Sequence, residues 1–148
     1  MDSVNIDGVN LYPEKRIEKP KGDLFHVLKR SSPGFVAFGE TYFSTVVFGA
    51  TKGWKRHHRV TLNIVVPVGR MRFMVYDDRQ GSATKGRFQE ILLGLDEYSR
   101  LTVAPRLWVA FQGLGPNLNL LCNTIDEEHD PAEAENCDLE AIPVAWPD

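Results

Sequence analysis

Eight runs of six to eight residues constrain this chain more than any single motif: "DLFHVLK", "TYFSTVVF", "VTLNIVVP", "MRFMVYDD", "RFQEILLG", "RLTVAP", "LWVAFQG" and "LNLLCNT". They are rich in β-branched and aromatic residues, and Gly, Pro, Asn or Ser separates them at short intervals. Short strands with almost no helical period can bury their apolar faces only as a sandwich or a barrel, so the expected fold is all-β with little helix. Within residues 60–76, Val60, Leu62, Ile64, Val66 and Val68 share one parity, "PVGR" turns, and Met71, Phe73 and Val75 resume the alternation. This pattern predicts a hairpin.

The ends differ from the middle. Residues 1–20 are polar and proline-bracketed and read as an arm or edge strand, leaving residues 21–148 as one domain. The acidic tail predicts one short helix over 131–136, with Asp130 as its cap and Pro131 as its first residue. A chain of 148 residues that is 43% hydrophobic and 25% charged can bury a core, and its net charge of -3 gives no general attraction to nucleic acid or anionic membranes. Any anion site must therefore be local. The start "MDSVNIDGVN" has neither the basic nor the apolar region of a secretory signal, and no apolar run approaches the roughly 20 residues of a membrane helix, so a cytoplasmic setting is expected. Cys122 and Cys137 then read as reduced thiols.

The stretch "KGWKRHHRVTLNIVVPVG" concentrates the chemistry. If its strand runs unbroken, Lys55, His57, Arg59, Thr61 and Asn63 share one face and His58 lies on the other. Adjacent histidines on opposite faces, with no Glu in the next six residues, do not make a metal ligand set, and no metal is expected. His129, beside "DEEHDP", reads as a surface loop residue and His26 as a core or edge residue. Gly81 and Gly86 lack the strand-to-helix setting of a phosphate loop and read as turn glycines.

The run "KGWKRHHRVTLNIVVPVGRMRFMVYDDR", followed by "RLTVAPRLWVAFQGL" and "DLEAIPVAW", resembles the sugar-nucleotide cupins, namely the dTDP-4-dehydrorhamnose 3,5-epimerases and dTDP-4-keto-6-deoxyglucose 3,4-ketoisomerases. The resemblance covers about residues 16–147, with the upstream "KPKGDLFHVL" matching an early strand of that family. It implies a cupin-type jelly-roll β-barrel, a homodimer in which the N-terminal arm adds a strand to the partner, and cofactor-independent isomerisation of a dTDP-sugar in deoxysugar or polysaccharide biosynthesis. The Arg-Gly-Leu-His segment of the epimerases falls on Lys52 to Lys55, which places their base at Lys55. The Arg-Gly-Phe-His-Ala-His segment of the ketoisomerases falls on Lys52 to His57, which places their second histidine at His57. A later family histidine becomes Val109, no tyrosine occupies the "DEEHD" region, and the family Asp that orients the base corresponds to Asp138.

Proton abstraction beside a keto group needs a base, a cation or donor for the enolate oxygen, and an acid. His57 is the candidate base, since an imidazole needs little tuning near neutral pH. Lys52 or Lys55 is the candidate enolate stabiliser, with Lys55 a second candidate base if its neighbouring cations and burial lower its pKa. Tyr42, in "ETYFSTVVFG", is the candidate acid. Arg59 and Asn63 join the polar face, Arg70 and Arg72 are candidates for diphosphate, and Trp108 is a candidate for stacking the base. The alternative reading is a non-catalytic cupin that binds a sugar nucleotide or assembles with polysaccharide-synthesis enzymes.

Overall fold

The eight runs become strands, and four further segments join them. A computed structural model describes residues 2–147. The strands are β1 (Val9–Pro13), β2 (Arg16–Ile17), β3 (Leu24–Phe25), β4 (Glu40–Thr45), β5 (Thr51–His57), β6 (Leu62–Val68), β7 (Met71–Asp77), β8 (Arg87–Leu93), β9 (Ser99–Val103), β10 (Trp108–Gly113), β11 (Leu120–Ile125) and β12 (Ala134–Asn136). One sheet has the order β1-β9-β6-β11-β4 and the other β12-β5-β10-β7-β8, while β2 and β3 form a small ribbon. The two five-stranded sheets face each other, and the ladders within them are antiparallel.

Alternation fills the space between the sheets. Leu62, Ile64 and Val66 of β6 meet Met71, Phe73 and Val75 of β7, together with Leu101, Val103, Val109 and Leu121. Each such side chain contributes about 1.5–3 kcal/mol through burial, so the inner faces carry the fold. The outer faces are also covered. Trp54, Met74, Phe88, Trp108 and Ala110 pack under the C-terminal tail through Ile142, with Leu139, Val144 and Trp146 against them. On the other sheet, Val65, Tyr98 and Cys122 pack under Phe25 and Val27.

The predicted 60–76 hairpin does not form. β6 pairs with β9 and β11, and β7 with β8 and β10, so "PVGR" is a corner that carries the chain from one sheet to the other. Gly69 makes that corner at φ +81°, and an added Cβ would overlap Leu118 and Asn119. Alternation fixes the face of a residue but not the neighbour of its strand, and the even positions of β6 and the odd positions of β7 face one shared core.

The cationic strand also breaks. β5 ends at His57 and β6 begins at Leu62 in the opposite sheet. The four residues between them reverse the parity, so Leu62 and Ile64 face inward and Asn63 faces outward. In the tail, Asp130 caps as expected, its Oδ1 accepting from the Ala132 amide at 3.0 Å, but the helix is a single 3-10 turn, Pro131–Glu133. β12 follows at once because Ala134–Asn136 pair with His57, Arg56 and Lys55 of β5. Among the described residues, no helix is long and apolar enough to cross a membrane.

Candidate functional site

A cavity of about 530 Å³ opens between the sheets near the start of β6 and the end of β11. Leu62, Ile64, Val109, Phe111, Leu121 and Ile125 form its apolar walls, and its polar residues include Tyr42 and Asn123 on one sheet and Lys52, Lys55 and His57 on the other. In regular alternation Lys52 and Lys55 would face apart. They share the cavity because β5 bulges: Val109 pairs with Lys55 but Phe111 pairs with Lys52, so two steps on β10 oppose three on β5. Gly53 permits this bulge, at φ +146° and with its Cα against Ala110, where an added Cβ would overlap.

His57 is the most constrained of these groups. It is buried, and its Nδ1 lies 2.6 Å from Oε1 of Glu133, itself buried. The other carboxylate oxygen accepts from the amides of Arg59 at 2.7 Å and Val60 at 3.0 Å. Burial pushes the Glu133 carboxyl upward, but these two amides and the imidazole outweigh it and hold the group at about 2. Glu133 is therefore ionised at neutral pH and accepts a hydrogen bond from Nδ1–H of His57. In the neutral imidazole that sets the tautomer, with Nε2 as the lone-pair nitrogen of a residue lining the cavity, the arrangement a general base requires.

Across the cavity, Tyr42 accepts a hydrogen bond from Asn123 Nδ2 at 2.9 Å, leaving its own O–H free to donate. Burial, and then the nearby Glu40, push its pKa upward against that hydrogen bond. Lys52 Nζ donates to the Thr45 carbonyl. Among the described residues neither Lys52 nor Lys55 has a carboxylate partner, although both of them line the cavity.

No protein-family model matches the chain. A curated relative, the probable low-salt glycan biosynthesis epimerase Agl13 of Haloferax volcanii, is 29% identical over 104 residues, which span 70% of this chain and 65% of that protein. The dTDP sugar isomerase of Desulfovibrio desulfuricans G20 superposes with a TM-score of 0.91 at 36% identity, covering 95% of this chain and 92% of that one. The chain belongs to the dTDP-sugar isomerase family. ChmJ, a 3'-monoepimerase from Streptomyces bikiniensis, superposes at TM-score 0.86 and 19% identity over 100% of this chain and 79% of that one, and shares the cupin jelly-roll fold.

Seen as a dTDP-sugar isomerase family member, the chain keeps only part of the expected site together. His57, Lys55, Lys52 and Tyr42 line one cavity. The other six expected residues lie elsewhere. Asp138 is exposed, precedes a 3-10 turn and does not line the cavity, and Glu133 instead holds the imidazole. Arg59 follows the strand break, is 57% exposed and pairs with Glu127 at 3.2 Å. Asn63 lies on the outer face, where its Oδ1 accepts from Arg100 and Thr102. Arg70 is exposed at the β6–β7 corner. Arg72 points away from the core and meets Glu90 and Gln112 at 2.8 Å each. Trp108 is 8% exposed in the outer cluster, its Nε1 donating to Asp78 at 3.0 Å. Parity from Val109, one residue on, was enough to send Trp108 outward.

Two residues were missed. Glu133 was hidden in an acidic tail, 76 positions from the histidine it holds, and the only local signal was its place in the Asp130-capped turn. His129, expected on the surface, is exposed yet lines the cavity. Among the described residues no three His, Cys, Asp or Glu side chains converge as a metal site would need.

Proposed function

We propose that the protein is a sugar-nucleotide epimerase or isomerase that moves a proton beside the keto group of a dTDP-4-keto-6-deoxy sugar in glycan or deoxysugar biosynthesis. The observation that carries this reading is the His57–Glu133 pair set in the wall of a cavity whose two lysines form no ion pair among the described residues. His57 Nε2 abstracts the carbon-bound proton. Glu133, a positioning residue, holds the ring and stabilises the imidazolium that forms. Lys55 and Lys52 stabilise the enolate charge in a largely apolar cavity, where such charges interact strongly. Tyr42 offers its phenolic proton to the enolate oxygen from the opposite wall. None of these steps calls for a cofactor.

The test is proton wash-in. In heavy water with dTDP-4-keto-6-deoxy sugars, mass spectrometry or NMR should show deuterium entering at C3 or C5 and product forming. Saturable binding with no exchange would instead favour the non-catalytic cupin.

A homodimer is part of the same proposal. β4 is an edge strand whose outward Phe43 is 69% exposed, and Phe38, Val47 and Phe48 are similarly exposed nearby. β1, the arm expected to reach a partner, pairs with β9 of its own chain and forms the opposite edge of that sheet, and the exposed apolar residues favour the β4 edge for pairing. Phe43→Asp should yield monomers in light scattering. A cytoplasmic location is proposed too, supported by two unpaired cysteines.

A further inference from the structure

His129 lies outside both sheets, yet it lines the cavity, and the segment that carries it is tethered along its length. Asp126 Oδ1 accepts from the Thr61 amide at 2.8 Å, Glu127 pairs with Arg59 at 3.2 Å, and Glu40 Oε1 accepts from the His129 amide at 2.7 Å. Asp130 then caps the turn that ends in Glu133. Residues 126–133 therefore bring one histidine to the cavity and orient the other.

The two histidines are anchored to different sheets. His57 belongs to β5, in the second sheet, whereas Glu40, which accepts from the backbone amide of His129, begins β4 in the first sheet, two residues before Tyr42. A base on one side and an imidazole on the other is the placement that inversion or relocation of a hydrogen needs. Tyr42 is less suited to carbon protonation, because burial raises its pKa and so strengthens its hold on the proton.

We propose that His129 is a second catalytic residue, which delivers a proton to a carbon of the enolate from the side opposite His57. The inference rests on the isomerase reading above. His57 Nε2 takes the C–H proton while the electron pair moves into the enolate. Protonated His129 gives its ring proton to carbon as the ketone re-forms. His57 then releases its proton to water and His129 takes one up, so no proton, electron or co-reactant is consumed overall.

The experiment compares wild type, His129→Gln, His57→Gln and Tyr42→Phe with a dTDP-4-keto-6-deoxy sugar in heavy water, following carbon-bound deuterium and product separately. His129→Gln should keep exchange through His57 near the wild-type rate while product formation falls by about 10²-fold or more. His57→Gln should lose both signals, and Tyr42→Phe should lower them in parallel. The inference is overturned if His129→Gln forms product at the wild-type rate, or if it loses exchange and product together, which would mark a binding or loop-ordering role. Wild-type protein that binds the nucleotide sugar but exchanges nothing would overturn the isomerase reading itself, and this inference with it. A thermal melt controls for folding, since position 129 is exposed.

Discussion

The two faces of β5 carry the same kinds of residue to opposite ends. On the inner face, Lys52, Lys55 and His57 line the cavity, and neither lysine has an ion pair among the described residues. On the outer face, Arg56 is bound on several sides: it pairs with Asp78 at 2.8 Å and with Glu135, and its guanidinium lies 4.6 Å from the Trp108 ring centre. Beside it, Trp54 is fully buried against Trp146, with its Nε1 donating to the Leu139 carbonyl at 3.2 Å. The strand's cations are thus paired where they hold the tail, and among the described residues Lys52 and Lys55 form no ion pair where a ligand would lie, although Glu40 lines the same cavity. Both lysines are exposed at the cavity wall, so they keep their hydration until a ligand covers them, and an anion there would gain from their charge.

This contrast can be broken experimentally. The largest effect is expected for His57→Gln, which should reduce product formation by about 10²–10⁴-fold while dTDP binding, read by calorimetry, stays close to wild type. Equal loss of binding would make His57 a ligand contact and erase the contrast. On the other face, Trp54→Ala should cost about 3–5 kcal/mol in urea unfolding, through the cavity it leaves, while the folded fraction keeps its turnover.

Glu133→Gln sharpens the inner face. It should lower turnover about tenfold and destabilise by about 1–3 kcal/mol, since two amides and an imidazole lose their charged acceptor. Its pH signature has a defined sign: the folded carboxyl is held at about 2 against an ordinary 4.5. The stabilisation it gives is complete above about pH 4.5 and is lost as pH falls toward 2. Acid titration of stability should therefore be steeper in wild type than in Glu133→Gln across that window. The smallest effect is expected for Arg56→Gln, about 1 kcal/mol in unfolding with unchanged turnover. A tenfold fall in turnover for Arg56→Gln, without one for Trp54→Ala, would show that the two faces are coupled.

Much of this was legible in the residues. The short runs gave the strands and the all-β class, Asp130 and Pro131 gave the capped turn, and the motif around Lys52 to His57 gave the strand that lines the cavity. Arg72, Trp108 and Asn63 were expected at the site on charge, aromaticity and polarity, and the structure sets them outside the cavity. Their strands place them on outer faces, where Arg72 meets Glu90, Trp108 meets Asp78 and Asn63 meets Arg100. Asn63 also depended on a parity that the break after His57 reverses, and Glu133 depended on β12 pairing with β5.

Periodicity is a local property, set by the two-residue repeat of an extended backbone. The sequence therefore determined which residues alternate, and with them the strands and the apolar core. The partners of β6 and β7, the bulge that turns both lysines inward, and the carboxylate that holds His57 were decided by the tertiary structure, because each depends on segments far apart in the chain meeting within one sheet pair.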